Sequence, residues 1–312
     1  MEFEYASDYI IPPKNFKPLN SPFSYFGSKS RISLKVVQYF PPYYAWVEAF
    51  CGSASITFAK EPAQIEIIND IDDQIVNFFE QLRNNKEALL ESINFTPYAS
   101  AEFYLSQIDE SGLSPLEKAR RFVVRAMMTI NGAYGKSKAG FSYSQSYSRN
   151  SVEARVNRWN NLPERLIPIA ERLKNVRIEK RDARALLNMF INRPATLVYL
   201  DPPYLTKRCH EYNHDVNYEE FHKELLEICN KAKCMIVLSG YQSELYDSML
   251  SEKDGWVKST LKTTTRGTNG EDNKRQEVIW QNKSTIKAIR NGNVPIKLSA
   301  FESKNMKFNP ER

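Results

Sequence analysis

The chain has 312 residues, of which 42% are hydrophobic, and it carries a formal net charge of +6 with a pI near 8.9. This length and apolar content suffice for one large domain, or for one domain with a smaller insertion, and they exclude a disordered chain. The positive charge suits a polyanionic partner but does not identify one, because many proteins of this size have a similar excess.

The cysteines and the hydropathy pattern indicate the cellular compartment of the protein. The four cysteines are irregularly spaced and form no CxxC pair, which argues against a disulfide framework and for a reducing environment. No run approaches the roughly 20 apolar residues that span a bilayer, so we expect a cytoplasmic protein with no membrane partner. Cys209, His210, His214 and His222 lie close together in sequence, but their spacing matches no zinc pattern, and we predict no metal.

The first half of the chain has the pattern of a nucleotide-binding β-α-β unit. A strand is predicted at Trp46–Phe50, followed by the small-residue turn Cys51–Ser55 and a helix. The next strand, Ile65–Ile68, is followed by Asp70. A glycine such as Gly52 lets the backbone approach a ligand, and a carboxylate about 20 residues beyond it is typical of ribose binding.

From about residue 95 the pattern becomes helical, with helices predicted at 101–108 and 115–128. Residues 131–160 follow, with five basic residues against one acidic residue and with interleaved aromatic residues. This composition favours a nucleic-acid contact over a merely solvated loop. The residues predicted to contact nucleic acid are Asn131, Tyr134, Lys136, Lys138, Arg149 and Arg155, together with Arg266, Asn269 and Arg275 of a later polar loop.

The α/β pattern resumes in the second half. The predicted elements are a strand at 175–179, a strand at 196–200, a helix at 218–231, a strand at 235–239, and two antiparallel runs at 256–261 and 277–280. From Lys283 onward the chain is polar and aperiodic, and we predict no structure there.

The strand at 196–200 is followed by Asp201-Pro202-Pro203-Tyr204. Two prolines end the strand, because neither can donate to a sheet ladder. They fix the carboxylate of Asp201 and the ring of Tyr204 at the edge where open α/β sheets bind ligands. The tetrad resembles the motif of methyltransferases that act on an exocyclic amine of a nucleobase.

Several such pieces occur in one order, and over residues 22 to 282 the chain resembles the Dam-type DNA adenine methyltransferases. In this group the cofactor motifs precede the target-recognition segment and the catalytic motif follows it. The matching pieces are Tyr25–Lys29, Phe50–Ser55, Asn69–Asp70, the region of Asn131 and Gly132, Asp182, and Asp201–Tyr204.

The resemblance implies a Rossmann-like α/β methyltransferase fold, whose seven-stranded, mostly parallel sheet has one antiparallel strand and a mainly helical target-recognition insert. It also implies the cofactor S-adenosylmethionine, the product S-adenosylhomocysteine and the cytosol of a bacterium or of a phage-infected bacterium. The domains would be 1–94 (cofactor half), 95–164 (insert), 165–282 (catalytic half) and 283–312 (basic tail).

The resemblance also assigns roles to residues. Asp201 and the Pro202 carbonyl would accept hydrogen bonds from the amine of a flipped-out adenine, and Tyr204 would stack on the base. Asp182 would lie beside the cofactor pocket, near the target base. Family members often have a second glycine where this chain has Ala54, so we expect a slightly tighter turn with binding retained. The catalytic set is Asp201, Pro202, Pro203 and Tyr204, and the cofactor set is Tyr25, Lys29, Phe50, Gly52, Ser53, Asp70, Asp182 and Asp201.

Other functions remain open at this point. One is a methyltransferase acting on cytosine N4 or on RNA, and another is a DNA-binding protein on an inactive methyltransferase scaffold. A nicotinamide dehydrogenase is disfavoured, because the chain has no GxGxxG motif. The expected partner is double-stranded DNA, and a monomer is compatible with the sequence. The DNA sequence recognised and the existence of a partner restriction nuclease are not predicted.

Overall fold

The structure, a computed structural model, describes residues 16–25, 27–130, 140–144, 148–149, 151–205, 218–266 and 272–292, without the side chains of Arg149, Tyr218, 262–266 and 272–275. The strands are β1 (Ala45–Glu48), β2 (Ile65–Asn69), β3 (Ser148–Arg149), β4 (Val152–Glu153), β5 (Val176–Glu179), β6 (Thr196–Leu200), β7 (Met235–Gly240), β8 (Val257–Arg266) and β9 (Asp272–Gln281). The helices are α1 (Ser33–Val37), α2 (Ser55–Ala59), α3 (Asp73–Asn84), α4 (Lys86–Asn94), α5 (Ser100–Leu105), α6 (Pro115–Met128), α7 (Ala154–Asn160), α8 (Leu162–Leu173), α9 (Ala183–Phe190), α10 (Tyr218–Lys231), α11 (Glu244–Met249) and α12 (Lys283–Asn291).

Seven strands form one sheet in the order β5-β2-β1-β6-β7-β9-β8. The pairs among β5, β2, β1, β6 and β7 are parallel, whereas β9 runs antiparallel to both β7 and β8. The predicted seven-stranded, mostly parallel sheet with one antiparallel strand is therefore confirmed. β6 and β7 are buried along their whole lengths, as expected for apolar strands covered on both faces.

Helices cover both faces of the sheet. On one face, Leu186 of α9 and Leu225 of α10 share a core with Val198 of β6. On the other face, Val36 of α1 and Ala288 of α12 pack with the neighbouring side chains of β1, β6, β7 and β9. The carboxyl ends of the parallel strands remain as the edge where a ligand can meet polar side chains.

The helices of the predicted insert do not form a core of their own. The ring of Phe122 in α6 lies 4.9 Å from that of Phe23 and 5.8 Å from that of Phe78 in α3, measured between centroids. Trp159 in α7 is buried in the same cluster and donates a hydrogen bond from Nε1 to the carbonyl of Thr96 at 2.7 Å. The predicted boundary after residue 164 falls inside α8.

The prediction of no structure from Lys283 onward is wrong for residues 283–291, which form α12. The side chain of Asn282 caps this helix by accepting a hydrogen bond from the Thr285 amide at 3.0 Å. Thr285 and Ala288 are buried under the sheet, and such small residues give a weak apolar pattern in the sequence. Residues 1–15 and 293–312 lie outside the described part of the chain.

Candidate active site

The turn after β6 holds a carboxylate at the edge of the sheet. Pro202 and Pro203 follow Asp201 and prevent the strand from continuing. Asp201 Oδ1 accepts hydrogen bonds from Lys29 Nζ at 2.7 Å and from Ser239 Oγ at 3.2 Å. Within the described residues, no hydrogen bond is made to Asp201 Oδ2. The carboxylate is therefore held by one oxygen while the other can accept a further donor.

Lys29 reaches this carboxylate from a distant part of the sequence. It begins a short 3-10 turn, Lys29–Arg31, which follows Gly27 in a left-handed conformation with φ of +79°. Its side chain is buried, and Nζ also lies 3.2 Å from Glu277 Oε1 and contacts the Tyr204 hydroxyl. One ammonium group therefore bridges two carboxylates and a phenol.

Burial governs the ionisation of this cluster. It raises the pKa of Asp201, and the Lys29 ammonium opposes the rise. Burial acts to lower the pKa of Lys29, but the carboxylates of Asp201 and Glu277 together outweigh it and raise that pKa. Burial also raises the pKa of Glu277 to about 7. When all three groups are ionised, two negative charges face one positive charge.

The ring of Tyr204 stacks on the ring of Tyr241, with 4.0 Å between centroids and 22° between planes. Its hydroxyl lies 3.3 Å from each carboxylate oxygen of Glu277. Tyr241 therefore covers one face of Tyr204, and the hydroxyl fixes the other end of the side chain.

The turn after β1 forms a second part of the site. Gly52 has φ of +47°, and a Cβ at this position would lie 3.0 Å from Cδ1 of Tyr25. The Gly52 amide donates to Asp70 Oδ2 at 2.8 Å, and the Asp72 amide donates to Asp70 Oδ1 at 3.1 Å. Burial raises the pKa of Asp70 to about 6. An aromatic ring thus lies over a side-chain-free turn, next to a carboxylate.

This arrangement fits a cofactor that carries a nucleoside. A carboxylate has about four acceptor positions, and the hydrogen bonds that backbone amides donate to Asp70 do not use all of them, so a ribose hydroxyl can also bind there. The ring of Tyr25 and the bare backbone of Gly52 offer a flat surface and a close approach.

Two neighbouring residues, Ser53 and Ala54, complete the turn. Ala54 takes a left-handed conformation with φ of 49°, which costs a residue with a side chain on the order of 1 kcal/mol and which glycine adopts freely. This explains the preference for glycine at this position. Ser53 Oγ lies 2.8 Å from both Ser21 Oγ and Ser28 Oγ, and so links the turn to the segment before Lys29.

Two members of the predicted cofactor set, Phe50 and Asp182, contact α10 and α9 respectively. Phe50 packs edge-on against Phe221 of α10, with 6.2 Å between ring centroids. Asp182 caps α9 by accepting from the Arg184 amide at 2.8 Å, and it forms an ion pair with the same arginine at 2.5 Å. Asp182 follows β5, the strand at one edge of the sheet. Strands β2 and β1 lie between β5 and β6, so β5 is roughly 14 Å from β6 at normal strand spacing. The expectation that Asp182 lies near the target base stays a prediction.

Only part of the predicted nucleic-acid surface can be described. Arg155 lies partly exposed in α7. Arg158 Nη2 donates to Ser24 Oγ at 2.6 Å, and the pKa of Arg158 is lowered by burial and then by the nearby Arg165 and Arg155. These three arginines form a cationic cluster beside residues 21–24, which precede the cofactor loop. Side chains outside the described part of the chain are those of Asn131, Tyr134, Lys136, Lys138, Arg149, Arg266, Asn269 and Arg275.

Ser239, Tyr241 and Glu277 are part of the site and were not among the predicted site residues. Alternation in the last strand carries the signal for Glu277, because Glu277 shares a face with Ile279 in the core. Glu277 lies inside an antiparallel strand, just before the segment that pairs with β7, so it does not follow the carboxyl end of a parallel strand. Ser239 lies near the carboxyl end of the parallel strand β7 and Tyr241 directly follows that strand, a signal that could have identified both residues.

The described residues contain no helix long and apolar enough to cross a membrane. Cys209, His210 and His214 lie outside those residues, and among the side chains that are described no group of three or more His, Cys, Asp or Glu is placed to hold a metal ion.

The chain is similar to several known proteins. M1.LlaDCHI, a Type II methyltransferase of Lactococcus lactis subsp. cremoris, is 27% identical over 217 residues, which are 64% of this chain and 72% of that protein. The solved rRNA methyltransferase aviRa of Streptomyces viridochromogenes aligns over 91% of this chain and 94% of its own, at 12% identity and a TM-score of 0.36. Precorrin 8w decarboxylase of Methanobacterium thermoautotrophicum aligns over 88% and 99%, at 8% identity and a TM-score of 0.35.

A family model described as D12 class N6 adenine-specific DNA methyltransferase matches residues 25–266. This range begins at Tyr25 in the cofactor loop and includes the Asp201–Tyr204 turn. The chain belongs to the D12 class N6 adenine-specific DNA methyltransferase family.

Proposed function

We propose that Asp201 and the Pro202 carbonyl bind the exocyclic amine of an adenine flipped out of duplex DNA, in position to receive the methyl group of S-adenosylmethionine. The observation that carries this proposal is the asymmetry of the carboxylate. Lys29 and Ser239 both bind Oδ1 of Asp201, and Oδ2 is open to a donor among the described residues.

Two acceptors suit the chemistry of this amine. The lone pair of an adenine amine is delocalised into the ring, which makes the nitrogen a poor nucleophile. Hydrogen bonds from both N–H groups, to Asp201 and to the Pro202 carbonyl, favour a pyramidal nitrogen whose lone pair points away from the two acceptors. S-adenosylmethionine supplies the electrophilic methyl group on its sulfonium. Alignment of the two reactants supplies much of the rate acceleration, and no covalent enzyme intermediate is needed.

Tyr204 of the turn would receive the base. Flipping an adenine out of the helix costs a few kcal/mol, which stacking on Tyr204 partly offsets. Tyr241 already covers one face of Tyr204 at 4.0 Å. A base that enters between the two rings must therefore separate them. The distance between the ring planes would become about 7 Å, the sum of two van der Waals contact distances.

The proposed cofactor site lies around the turn after β1. Gly52 and the ring of Tyr25 would accept the flat nucleoside and the methionine part, and Asp70 the ribose hydroxyls. The unshared acceptor positions of Asp70 and the steric need for glycine at position 52 support this assignment. Ser53, Phe50 and Asp182 would shape the outer parts of the same pocket.

Duplex DNA would reach the site across the cationic cluster of Arg155, Arg158 and Arg165. These arginines lie beside residues 21–24, close in sequence to Lys29. Basic groups at this place can neutralise phosphates while the base enters the turn. The remaining residues predicted to bind DNA would extend this surface.

Expression in a host free of DNA methylation, followed by single-molecule sequencing of its DNA, tests the proposal. We expect N6-methyladenine in a defined sequence with the wild-type protein, and none with Asp201→Ala. Purified Asp201→Ala should still bind DNA with nearly unchanged affinity. Modified cytosine, unmodified DNA from the wild type, or near-normal turnover of Asp201→Ala would each contradict it.

A further inference from the structure

Glu277 is a buried acidic residue that reaches the site from β9. It is 5% exposed and shares a sheet face with Ile279, two residues later, and with Ser239 of the neighbouring β7. Tyr199 bonds Ser239 on this face, and Asp201 continues the same alternation along β6. Three adjacent strands, β6, β7 and β9, therefore present Asp201, Ser239 and Glu277 side by side.

The contacts of Glu277 are to side chains that surround the proposed amine site. Its Oε1 lies 3.2 Å from Lys29 Nζ, and both of its carboxylate oxygens lie 3.3 Å from the Tyr204 hydroxyl. Lys29 in turn holds Asp201 Oδ1 at 2.7 Å. Glu277 is thus one side chain removed from the carboxylate that would bind adenine.

If Asp201 were the single carboxylate partner of the buried Lys29 ammonium, the ammonium would interact with Asp201 alone. The second carboxylate divides the attraction, so Asp201 keeps acceptor strength for another donor. It also gives Lys29 a fixed anchor when a substrate enters. The same residue holds the Tyr204 hydroxyl, and thereby the orientation of the ring on which the base would stack.

We propose that Glu277 is a positioning residue for methyl transfer, which anchors Lys29 and Tyr204 so that Oδ2 of Asp201 faces the target amine. This inference rests on the proposed role of Asp201. It assigns to Glu277 no contact with substrate, and it predicts an effect on the chemical step rather than on binding.

The ionisation of Glu277 gives the proposal a distinct signature. Its pKa is raised to about 7 by burial, against the pull of the Lys29 ammonium. The titratable groups that face Glu277 are Lys29 of the 3-10 turn and Asp201 and Tyr204 of the turn after β6. The flanking strands β7 and β8 add no charge, because their nearby residues are Ser239, Gly240 and Leu261. The anchor forms only when Glu277 is ionised, so the wild-type kcat should rise with pH through about 7.

Glu277→Gln tests this, because the amide keeps the size of the side chain and removes its charge. Methyl transfer to DNA from a methylation-free host gives kcat and KM, and calorimetry gives cofactor and DNA affinity. We expect kcat to fall about 10-fold to 100-fold while both affinities stay within about threefold. The acid limb of the profile, in which kcat rises with pH, should move to lower pH by about one unit. The reason is that loss of the negative charge of Glu277 lowers the pKa of the nearby Asp201. Glu277→Asp should restore the limb near its original pH.

Glu66→Gln is the matched control. Glu66 is also a buried carboxylate of the sheet, 3% exposed, but it pairs with Lys60 at 2.5 Å and Arg172 at 2.8 Å. This variant should lose stability and keep kcat and its pH profile.

The outcomes separate the two proposals. A Glu277→Gln protein with wild-type kcat and an unmoved acid limb overturns the role of Glu277. So does a variant that merely loses stability and binding, as a structural residue would. If the wild type itself methylates no adenine, the proposed function fails, whatever the Glu277 variants do.

Discussion

The Lys29 ammonium lies 2.7 Å from Asp201 Oδ1, although 172 residues separate the two in the chain. The contact joins the loop before the first strand to the turn after β6. Motifs that the sequence places far apart therefore come together, and Lys29 of the proposed cofactor loop orients the carboxylate that we propose to be catalytic.

Lys29→Met should slow methyl transfer and shift its pH dependence upward. Burial raises the pKa of Asp201, and Lys29 is the main opposing influence. Without it the carboxylate stays protonated to higher pH, so the acid limb of kcat should rise and kcat at neutral pH should fall about 10-fold to 100-fold. Lys35→Met, at an exposed lysine in α1, is the control. An acid limb at the wild-type position in Lys29→Met would contradict this account.

Gly52→Ala should weaken cofactor binding more than its backbone strain alone explains. The residue has φ of +47°, and the added Cβ would lie 3.0 Å from the Tyr25 ring, which must shift. Gly112→Ala is a matched control, because Gly112 has φ of +79° with nothing within 4 Å of an added Cβ. Both variants should lose about 1 kcal/mol of unfolding free energy. Only Gly52→Ala should raise the Kd for S-adenosylmethionine, by about 10-fold or more. Equal affinities in calorimetry would exclude the proposed contact.

Glu48→Gln should change the pH dependence of stability. Burial raises the pKa of Glu48 from 4.5 to about 8, although hydrogen bonds from Thr57 oppose the rise. A pKa raised in the folded state stabilises the fold at low pH, and this contribution is lost as the pH rises from 4.5 through 8. The loss is at most about 1.4 kcal/mol per pH unit.

Urea unfolding at several pH values measures this effect. Glutamine can accept the Thr57 hydrogen bonds without ionising, so Glu48→Gln should lose less stability than the wild type between pH 5 and about 8. Glu87→Gln, at an exposed carboxylate, should follow the wild type. Parallel stability profiles for Glu48→Gln and the wild type would show that Glu48 does not titrate in this range.

Replacing Arg155 and Arg158 by alanine should weaken DNA binding in a salt-dependent way. Each lost phosphate contact lowers the slope of log Kd against log salt concentration by about 1. Loss of both arginines should also reduce the affinity for DNA by about 10-fold. Fluorescence anisotropy over a salt series measures both quantities. Arg177→Ala removes an exposed arginine of β5 and should leave the slope intact. Cofactor affinity should not change in either variant. An unchanged slope in the double variant would place the DNA elsewhere.

Much of the sheet and the centre of the site could be predicted from the sequence, because local patterns carry them. The apolar run of β6, the prolines after Asp201 and the small residues around Gly52 act over a few positions. The shared core of the insert depends instead on contacts such as Phe23 with Phe122, about 100 residues apart, which no local pattern reveals. Glu277 was missed for a related reason, since only the antiparallel direction of β9 brings this residue to the edge where β6 ends.

The length of the β8–β9 pair has a further consequence. β8 and β9 pair along all ten of their residues, whereas β7 pairs only with Val278–Gln281. Residues 272–277 therefore belong to a two-stranded ribbon with a neighbour strand on one side only, and Glu277 is at its base. Isolated ribbons open at lower free energy than central strands. On heating, we expect this ribbon to open before the sheet unfolds and to release Lys29 from Glu277, so that activity is lost while most of the secondary structure persists.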